Sequence, residues 1–156
     1  MRIVALVALT LALAACQSGA PRGSNQPILR AEPGTQSVAV KASPEQVRQT
    51  LKTSAAQKGT LVVQDDPNMV IIENVMRQAN PVLDQEFGPS DNGDRVIRVR
   101  VRFSGSQCNT LVVQDVALLN NAHTGLEQSY KLPGDNNTMQ SLIGLKQNAE
   151  ATSQCI

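Results

Sequence analysis

The sequence predicts an α+β domain, a single antiparallel sheet of about four to five strands with one or two helices packed on one face. Three observations predict it: apolar and polar residues alternate over 95–103, a capped helix pattern begins at Ser43, and two β-branched runs flank a turn at 65–68. The predicted element order is β-α-β-β-β-β-α. A chain of 156 residues has room for one such domain.

The first predicted elements are a short strand over 37–42 and a helix that follows it directly. Ser43 has the side chain of an N-cap, and Pro44 suits the first helical position. Gln46 is placed to complete a capping box with the cap residue. Because Gly59 tolerates the left-handed conformation that commonly ends a helix, we expect the helix to end just before it.

A β-hairpin is predicted next. Residues 60–64 and 69–75 are rich in β-branched side chains, and the Asp and Pro residues between them favour a turn. Residues 77–94 contain two Pro, two Gly and several Asp and Asn, which predicts a long irregular connection. Since binding residues often lie on such loops, this segment is one candidate contact surface.

The rest of the chain predicts two long strands and a closing helix. Apolar residues alternate with arginines over 95–103, which is typical of a strand with one face in the core and one face exposed. A second strand is predicted over 110–119, followed by a polar connection over 120–137. Thr138 is the expected cap of a helix that extends to about residue 151.

The hexapeptide Thr-Leu-Val-Val-Gln-Asp occurs twice, at 60–65 and at 110–115. Little similarity extends beyond the hexapeptide itself, and a solenoid would need at least about three copies. We therefore interpret the two copies as buried strands that share a composition, rather than as a duplication.

The first 15 residues carry one positive charge followed by an apolar run, the pattern of a secretory signal peptide. The run is shorter than the roughly 20 residues that a transmembrane helix needs. It ends in Leu13-Ala14-Ala15-Cys16, which resembles the lipobox of bacterial lipoproteins. The alternative is an ordinary cleaved signal peptide that leaves Cys16 free or paired.

The lipobox resemblance implies a lipoprotein processed before Cys16, with a diacylglyceryl thioether on its sulfur and an acyl chain such as palmitate on its new amine. Two or more acyl chains hold a protein stably at a membrane, whereas one chain does not. Gln17 stands where an Asp would favour retention at the inner membrane. The resemblance therefore favours the outer membrane, with the domain facing the periplasm.

Residues 16–36 predict a flexible tether, because Gly, Ser, Pro and Asn dominate them without any period. Ile28 and Leu29 form a small apolar island within it, which we interpret either as incidental packing or as a docking point. The predicted organisation is a signal peptide over 1–15, a lipidated Cys with its tether over 16–36, and one globular domain over 37–156.

Composition excludes several functions. Loss of Arg2 with the signal peptide reduces the 14 Lys and Arg residues to 13, which equals the 13 Asp and Glu residues and argues against a nucleic-acid partner. The chain has three aromatic residues and no Trp, so stacking platforms for bases or sugars are not expected. One His and three Cys predict no zinc site, and no phosphate-binding loop or dinucleotide fingerprint predicts a cofactor.

Two cysteines remain once Cys16 is assigned to the anchor. Cys108 and Cys155 can pair in an exported protein, so we expect a structural disulfide between them. Separate thiols are the alternative. The sequence has no Cys-x-x-Cys pattern, which argues against redox function.

Arg98, Arg100 and Arg102 form a stripe along the exposed face of their predicted strand. Guanidinium groups spaced two residues apart span about 13 Å and can hold phosphates or carboxylates bidentately. The stripe therefore predicts an anion- or partner-binding surface. The alternative is a solvated strand face whose arginines pair with Asp or Glu across the sheet.

Catalysis has little support in the sequence. His123 is the only histidine, and a hydrolase would need it beside a serine such as Ser129. Asp115 or Asp135 would have to complete that site, and no Gly-x-Ser-x-Gly element presents a nucleophile. Paired carboxylates elsewhere are typical of turns.

We therefore predict a non-catalytic cell-envelope lipoprotein, a membrane-anchored binding or scaffold domain with no metal site. Its partner would be an envelope protein, a glycan or a lipid headgroup. The alternatives are a periplasmic inhibitor of a cell-wall-degrading enzyme and an envelope hydrolase that uses His123.

Overall fold

A computed structural model describes residues 26–155. This part of the chain forms one six-stranded antiparallel sheet with three helices, which confirms the predicted α+β class with a single sheet. In chain order the elements are β1 (Gln36–Val40), α1 (Pro44–Lys58), β2 (Leu61–Asp66), β3 (Met69–Met76), α2 (Pro81–Phe87), β4 (Asp94–Ser106), β5 (Asn109–Ala122), β6 (Gln128–Leu132) and α3 (Asn136–Ala151).

Strand β5 organises the sheet because three other strands pair with it. Strand β4 follows one edge of β5 along its whole length. On the other edge, β1 pairs with residues 110–114 and β6 pairs with residues 116–120. Strands β3 and β2 extend the sheet beyond β4. Asp115 therefore lies where the outer edge of β5 changes its partner from β1 to β6.

Two segments that we predicted as irregular contain regular structure. Residues 77–94 include α2, which begins after Asn80 with Pro81 in its first turn. Residues 120–137 include β6. Helix α2 buries no side chain and β6 is largely exposed, so neither has the apolar periodicity that predicts an element from sequence. The described residues therefore form six strands and three helices, one strand and one helix more than the predicted element order contains.

Helix α1 has the predicted bounds. The Ser43 side chain accepts a hydrogen bond from the backbone N–H of Gln46 at 3.1 Å, and Gly59 ends the helix at φ 65°. The expected second half of the capping box is wrong. The Gln46 side chain turns away from the cap and donates to Thr152 Oγ1 at 2.7 Å, which ties α1 to the end of α3.

Helix α3 begins earlier than predicted. Its cap is Asp135, whose carboxylate accepts the backbone N–H of Thr138 at 2.7 Å. Thr138, which we expected to be the cap, sits in the first turn and accepts the Asp135 backbone N–H at 2.8 Å. The two residues form a reciprocal capping box in which Asp135 is the N-cap and Thr138 is the third residue of the helix.

Helices α1 and α3 cover one face of the sheet. Together they enclose a core built from every second residue of the strands and from one stripe of each helix. The buried members of this core are Val40, Ala42, Val47, Leu51, Val70, Val101, Phe103, Val112, Leu142, Leu145 and Ala149. The opposite face carries neither of these helices, and we refer to it as the open face.

The two copies of the repeated hexapeptide lie in different environments. The copy at 110–115 is in β5, and five of its six residues are buried, all except Leu111. The copy at 60–65 leads into the edge strand β2, where Leu61 is 58% exposed. The interpretation of both copies as buried strands is therefore wrong for the first one.

The segment before β1 is in contact with the sheet. Residues 26–35 contain no helix or strand, but the Gln26 side chain accepts a hydrogen bond from Asn68, and the Pro27 carbonyl accepts one from the Ser104 hydroxyl. Ile28 is 89% exposed directly after these contacts. The predicted signal peptide, the predicted lipidation site Cys16 and the first part of the predicted tether lie outside the described residues.

None of the helices formed by residues 26–155 has the length and apolarity to cross a membrane.

Candidate functional site

The arginine stripe lies on the open face, as the alternation of β4 predicts. Val99, Val101 and their neighbours point into the core under the helices, so Arg98, Arg100 and Arg102 project from the other side of the strand. Each of the three guanidinium groups contacts a carboxylate that comes from a neighbouring strand. The open face is therefore a charged surface built across three strands.

Glu73 organises one end of this surface. It is fully buried in β3, directly opposite Arg98 in the register of β3 and β4. Arg98 Nε and Nη2 each lie 2.6 Å from Glu73 Oε1, and His123 Nε2 lies 2.7 Å from Glu73 Oε2. A buried carboxylate needs charged or hydrogen-bonding partners to offset its lost hydration. Both oxygens of Glu73 have such a partner.

His123 is held by carboxylates. Its backbone N–H donates to Glu127 Oε2 at 2.8 Å, and its backbone has φ 62°. Glu127 Oε1 also lies 3.5 Å from Arg98 Nη1, which closes a small cluster of two acids, one arginine and one histidine. Within residues 26–155, neither Ser129 nor Asp115 nor Asp135 is bonded to His123. The hydrolase alternative therefore gains no serine–histidine pair from the described part of the chain.

Asp115 organises the other end of the surface. Arg100 Nε and Nη2 donate to Asp115 Oδ2 at 3.2 and 3.0 Å, and Arg102 Nη2 donates to the same oxygen at 3.2 Å. Lys131 Nζ, from β6, lies 3.9 Å from Oδ1. The carboxylate is buried where β5 changes its outer partner. Three cations therefore surround a single acid at this end.

The arginine stripe was predicted either to bind an anion or partner, or to form ion pairs across the sheet, and the geometry has features of both. The arginines do pair with acids across the sheet, yet they remain on a face that neither α1 nor α3 covers. Sequence reasoning missed Glu73 and Asp115 as the pairing acids. The position of Glu73 could have been predicted from alternation along β3. Glu73 is on the same face of the strand as Met69 and Ile71, and the buried Val70 is on the other face.

The predicted disulfide is present. Cys108, in the turn between β4 and β5, is bonded to Cys155 beyond the end of α3, with the Cα atoms 5.5 Å apart. The bond joins the tail of the described chain to the turn that connects the two longest strands. It therefore has the structural role that we expected, and the alternative of separate thiols is wrong.

The predicted loop over 77–94 is fastened to the sheet by Arg95. This buried side chain donates to Asn120 Oδ1 at 2.8 Å, to Asp84 Oδ1 at 2.7 Å and to the Gly88 carbonyl at 2.5 Å. Asn120 in turn donates to the Phe87 carbonyl at 2.8 Å. These bonds account for the position of α2 against the sheet without requiring a ligand, so we do not assign the loop a binding role.

Two shallow grooves lie on the helix side of the domain. One, of about 340 Å³, runs between α1 and the end of α3 and is lined by uncharged side chains such as Gln49, Thr53 and Asn148. The second, of about 200 Å³, adjoins it at Gln46 and Thr152 and extends towards the disulfide. Neither groove contains a charged or aromatic side chain, which leaves the open face as the surface with distinctive chemistry.

Among residues 26–155 no group of three or more His, Cys, Asp or Glu side chains is arranged to hold a metal ion.

Comparison with known proteins adds little. No protein-family model and no curated protein sequence matches this chain. One solved structure, a TBP-like protein from Parabacteroides distasonis, is 10% identical and superposes with a TM-score of 0.40 over 80% of this chain and 98% of that chain. A likeness of this extent carries no argument about function.

Proposed function

We propose that this protein is a non-catalytic lipoprotein of the bacterial cell envelope, a membrane-anchored binding or scaffold domain whose contact surface is the open face. Its anchor is a lipid on Cys16, in the outer membrane, and the domain faces the periplasm. The signal-like first 15 residues, the lipobox-like ending and Gln17 support the anchor and its location.

The observation that carries the binding function is the charged surface itself. Arg98, Arg100 and Arg102 stand on a sheet face that α1 and α3 leave uncovered, and each is held by a buried or partly buried acid. Side chains fixed in this way lose little conformational entropy when they bind a partner. A rigid row of guanidinium groups suits carboxylates and phosphates, both of which can accept paired hydrogen bonds.

The described residues also support a role without catalysis. His123 is bonded to Glu73 and Glu127, an arrangement that stabilises the sheet surface and presents no nucleophile. The two grooves on the helix side are lined by amides, hydroxyls and small side chains. General acid–base chemistry needs a titratable group in reach of the substrate, and the grooves contain none.

The anchor is tested by growth of cells with a radiolabelled or clickable palmitate analogue. We expect the wild-type chain to take up the label and to fractionate with the outer membrane. The Cys16→Ser variant should remain unlabelled and unprocessed. A wild-type chain that carries no label and is released with the soluble periplasmic proteins would overturn the proposal.

The contact surface is tested by crosslinking in cells, followed by mass spectrometry. Variant Arg100→Gln/Arg102→Gln removes two charges from the open face, and Lys58→Gln/Arg77→Gln removes two exposed charges elsewhere as a matched control. We expect an envelope partner, protein or lipid, to be crosslinked by the wild type and the control but not by the open-face variant. Equal crosslinking by all three chains would exclude the open face as the contact surface.

A further inference from the structure

The open face has an uneven distribution of charge. At the Glu73 end, the two acids Glu73 and Glu127 face a single arginine, Arg98, together with His123, so this end has no surplus of positive charge. At the other end, Arg100, Arg102 and Lys131 surround only Asp115. The second end therefore carries a surplus of positive charge, although the whole chain is close to neutral. We refer to Arg100, Arg102 and Lys131 as the cationic end.

The cationic end has hydrogen-bonding capacity to spare. A guanidinium group has five N–H donors. Arg100 directs two of them to Asp115, and Arg102 directs one. The Arg102 Nε atom is buried without a hydrogen-bond partner among residues 26–155. Arg100 is 47% exposed and Lys131 is 52% exposed, so both can reach an anion in solution or at a surface.

The described residues begin beside this cationic end. Pro27 is bonded to Ser104, and Ser104 follows Arg102 by two residues on the same face of β4. The two positions are therefore separated by about 6.6–6.8 Å along the strand. Gln26 follows Cys16 by ten positions, so the two residues can lie at most about 33–36 Å apart. A lipid on Cys16 would hold the cationic end close to the membrane surface.

An exposed apolar side chain directly follows the contact between Pro27 and Ser104. Ile28 is 89% exposed and directly follows the Pro27 contact. An apolar side chain next to cationic groups is a typical arrangement at a membrane interface, where the apolar group enters the headgroup region and the cations bind phosphates. Both features lie where the described part of the predicted tether contacts the sheet.

We propose that the cationic end docks onto the phosphate groups of the lipid headgroups in the anchoring membrane, so that the domain lies with its open face towards the bilayer. This inference rests on the proposed anchor and assigns the partner of the open face. The ligand of the cationic end is the phosphate of lipids in the membrane that holds the anchor. Docking leaves α1, α3 and their uncharged groove facing the periplasm.

The test uses the lipidated full-length protein in vesicles of pure phosphatidylcholine or of an equal mixture of phosphatidylcholine and phosphatidylglycerol. A dye is attached either at Ala39→Cys, on the open face, or at Gln57→Cys, on α1, and energy transfer to a headgroup acceptor is measured. Flotation of the vesicles first reports whether the protein is bound. The cationic variant is Arg100→Gln/Lys131→Gln, and Lys58→Gln/Arg77→Gln is its charge-matched control.

We expect stronger energy transfer from position 39 than from position 57 in the anionic vesicles. The difference should be lost in the cationic variant, in high salt and in pure phosphatidylcholine, and it should persist in the control. For Cys16→Ser, we expect binding to anionic vesicles to weaken by roughly 25-fold when both charges are removed, since each basic residue near the surface contributes about fivefold. Circular dichroism confirms that each variant is folded.

The outcomes separate the two proposals. Vesicle-bound protein with equal energy transfer from both positions, or with an orientation that survives in the cationic variant, would overturn docking and leave the anchor intact. Protein that floats only with anionic vesicles would support docking and contradict the anchor. Protein that floats with neither vesicle would overturn both. An orientation in which Gln57 lies closer to the headgroups would also overturn docking, because the helix side and not the open face would then meet the bilayer.

Discussion

Glu73 and Arg98 face each other across β3 and β4, and two guanidinium nitrogens lie 2.6 Å from the same carboxylate oxygen. The acid is fully buried and the arginine is partly exposed, so the guanidinium group lies over the acid on its solvent side and covers it. Without this cover, a charged carboxylate would lie in the apolar middle of a sheet. The pair therefore contributes to stability as much by avoiding an unpaired buried charge as by its attraction.

The first prediction follows from this pair. Glu73→Gln should destabilise the domain by about 1–3 kcal/mol, because Arg98 and His123 lose their shared acceptor charge. Arg98→Met should cost a similar amount by leaving the buried acid uncovered. The double variant should be less destabilised than the sum of the two, as measured by urea unfolding. Strict additivity, or an equal effect of Glu127→Gln, would contradict the coupling.

Arg95 gives a second prediction. It joins α2 to the sheet through Asp84, Gly88 and Asn120. Arg95→Met should destabilise the domain by about 2–4 kcal/mol, because it removes several hydrogen bonds and leaves buried acceptors unsatisfied. Hydrogen exchange should accelerate first in residues 81–88. The matched control is Arg77→Met, an exposed arginine, and a similar loss in both variants would argue against the role assigned to Arg95.

The disulfide allows a third prediction. Cys108 and Cys155 are separated by 47 residues, and closure of such a loop stabilises a folded chain by about 4 kcal/mol in the chain-entropy model, commonly less in measurements. The variant Cys108→Ser/Cys155→Ser should unfold at a lower temperature than the wild type. Reductant should lower the wild-type transition to the same temperature and leave the variant unchanged. A wild type that is insensitive to reductant would show that the bond contributes little.

Acid should destabilise the domain through several exposed carboxylates. Arg48, hydrogen-bonded to Asp65, holds the pKa of that carboxyl below its usual value. The backbone N–H of Thr138 lowers the pKa of Asp135, and Lys146 lowers the pKa of Glu150. A lowered folded-state pKa means that the stabilisation is complete above the ordinary carboxyl pKa of about 4, and is lost as the pH falls through the lowered value.

The measurement is urea unfolding at a series of pH values from neutral to strongly acidic. Asp65→Asn should reduce stability near neutrality and flatten the decline in acid, because one of the coupled carboxylates no longer titrates. Asp66→Asn is the control, since it removes the neighbouring acid of the same strand. If the slope in acid is the same for the wild type and Asp65→Asn, the ion pair with Arg48 does not contribute to it.

Two glycines should respond to alanine in opposite directions. A Cβ on Gly105 would lie 2.0 Å from the Asn109 carbonyl oxygen and 2.7 Å from Thr110 Cα, so Gly105→Ala should force β4 and β5 apart and destabilise the domain by about 1–3 kcal/mol. A Cβ on Gly144 in α3 meets nothing within 4 Å. Gly144→Ala should therefore stabilise the domain by about 0.5–1 kcal/mol. Thermal unfolding of both variants tests the pair, and shifts of the same sign would contradict it.

The part of the fold that was predictable is local in sequence. Alternation over 95–103 places the arginines on one face, because successive side chains of a strand point to opposite sides whatever the strand pairs with. The start of α1 at Ser43 and its end at Gly59 depend on neighbouring backbone groups alone. Such features need no knowledge of the rest of the chain.

The part that was not predictable depends on distant residues. The acids that hold the stripe come from other strands: Glu73 is 25 residues from Arg98, and Asp115 is 15 residues from Arg100. The repeated hexapeptide shows the same limit. Its Asp65 pairs with Arg48 and Lys52 at the edge of the domain, whereas Asp115 is buried among Arg100 and Arg102. The two identical segments differ in burial because β2 is an edge strand of the sheet and β5 is an interior strand.

The pairing of β1 with β5 also determines when the protein can fold. Paired residues in these two strands are 70 to 78 positions apart, whereas β2 with β3 and β4 with β5 are joined by short turns. A ribosome releases the N-terminal strand first, and that strand has no partner until β5 has been synthesised. The sheet is therefore completed only when most of the chain is available. A chain shortened before residue 110 would therefore lack the strand that β1 pairs with.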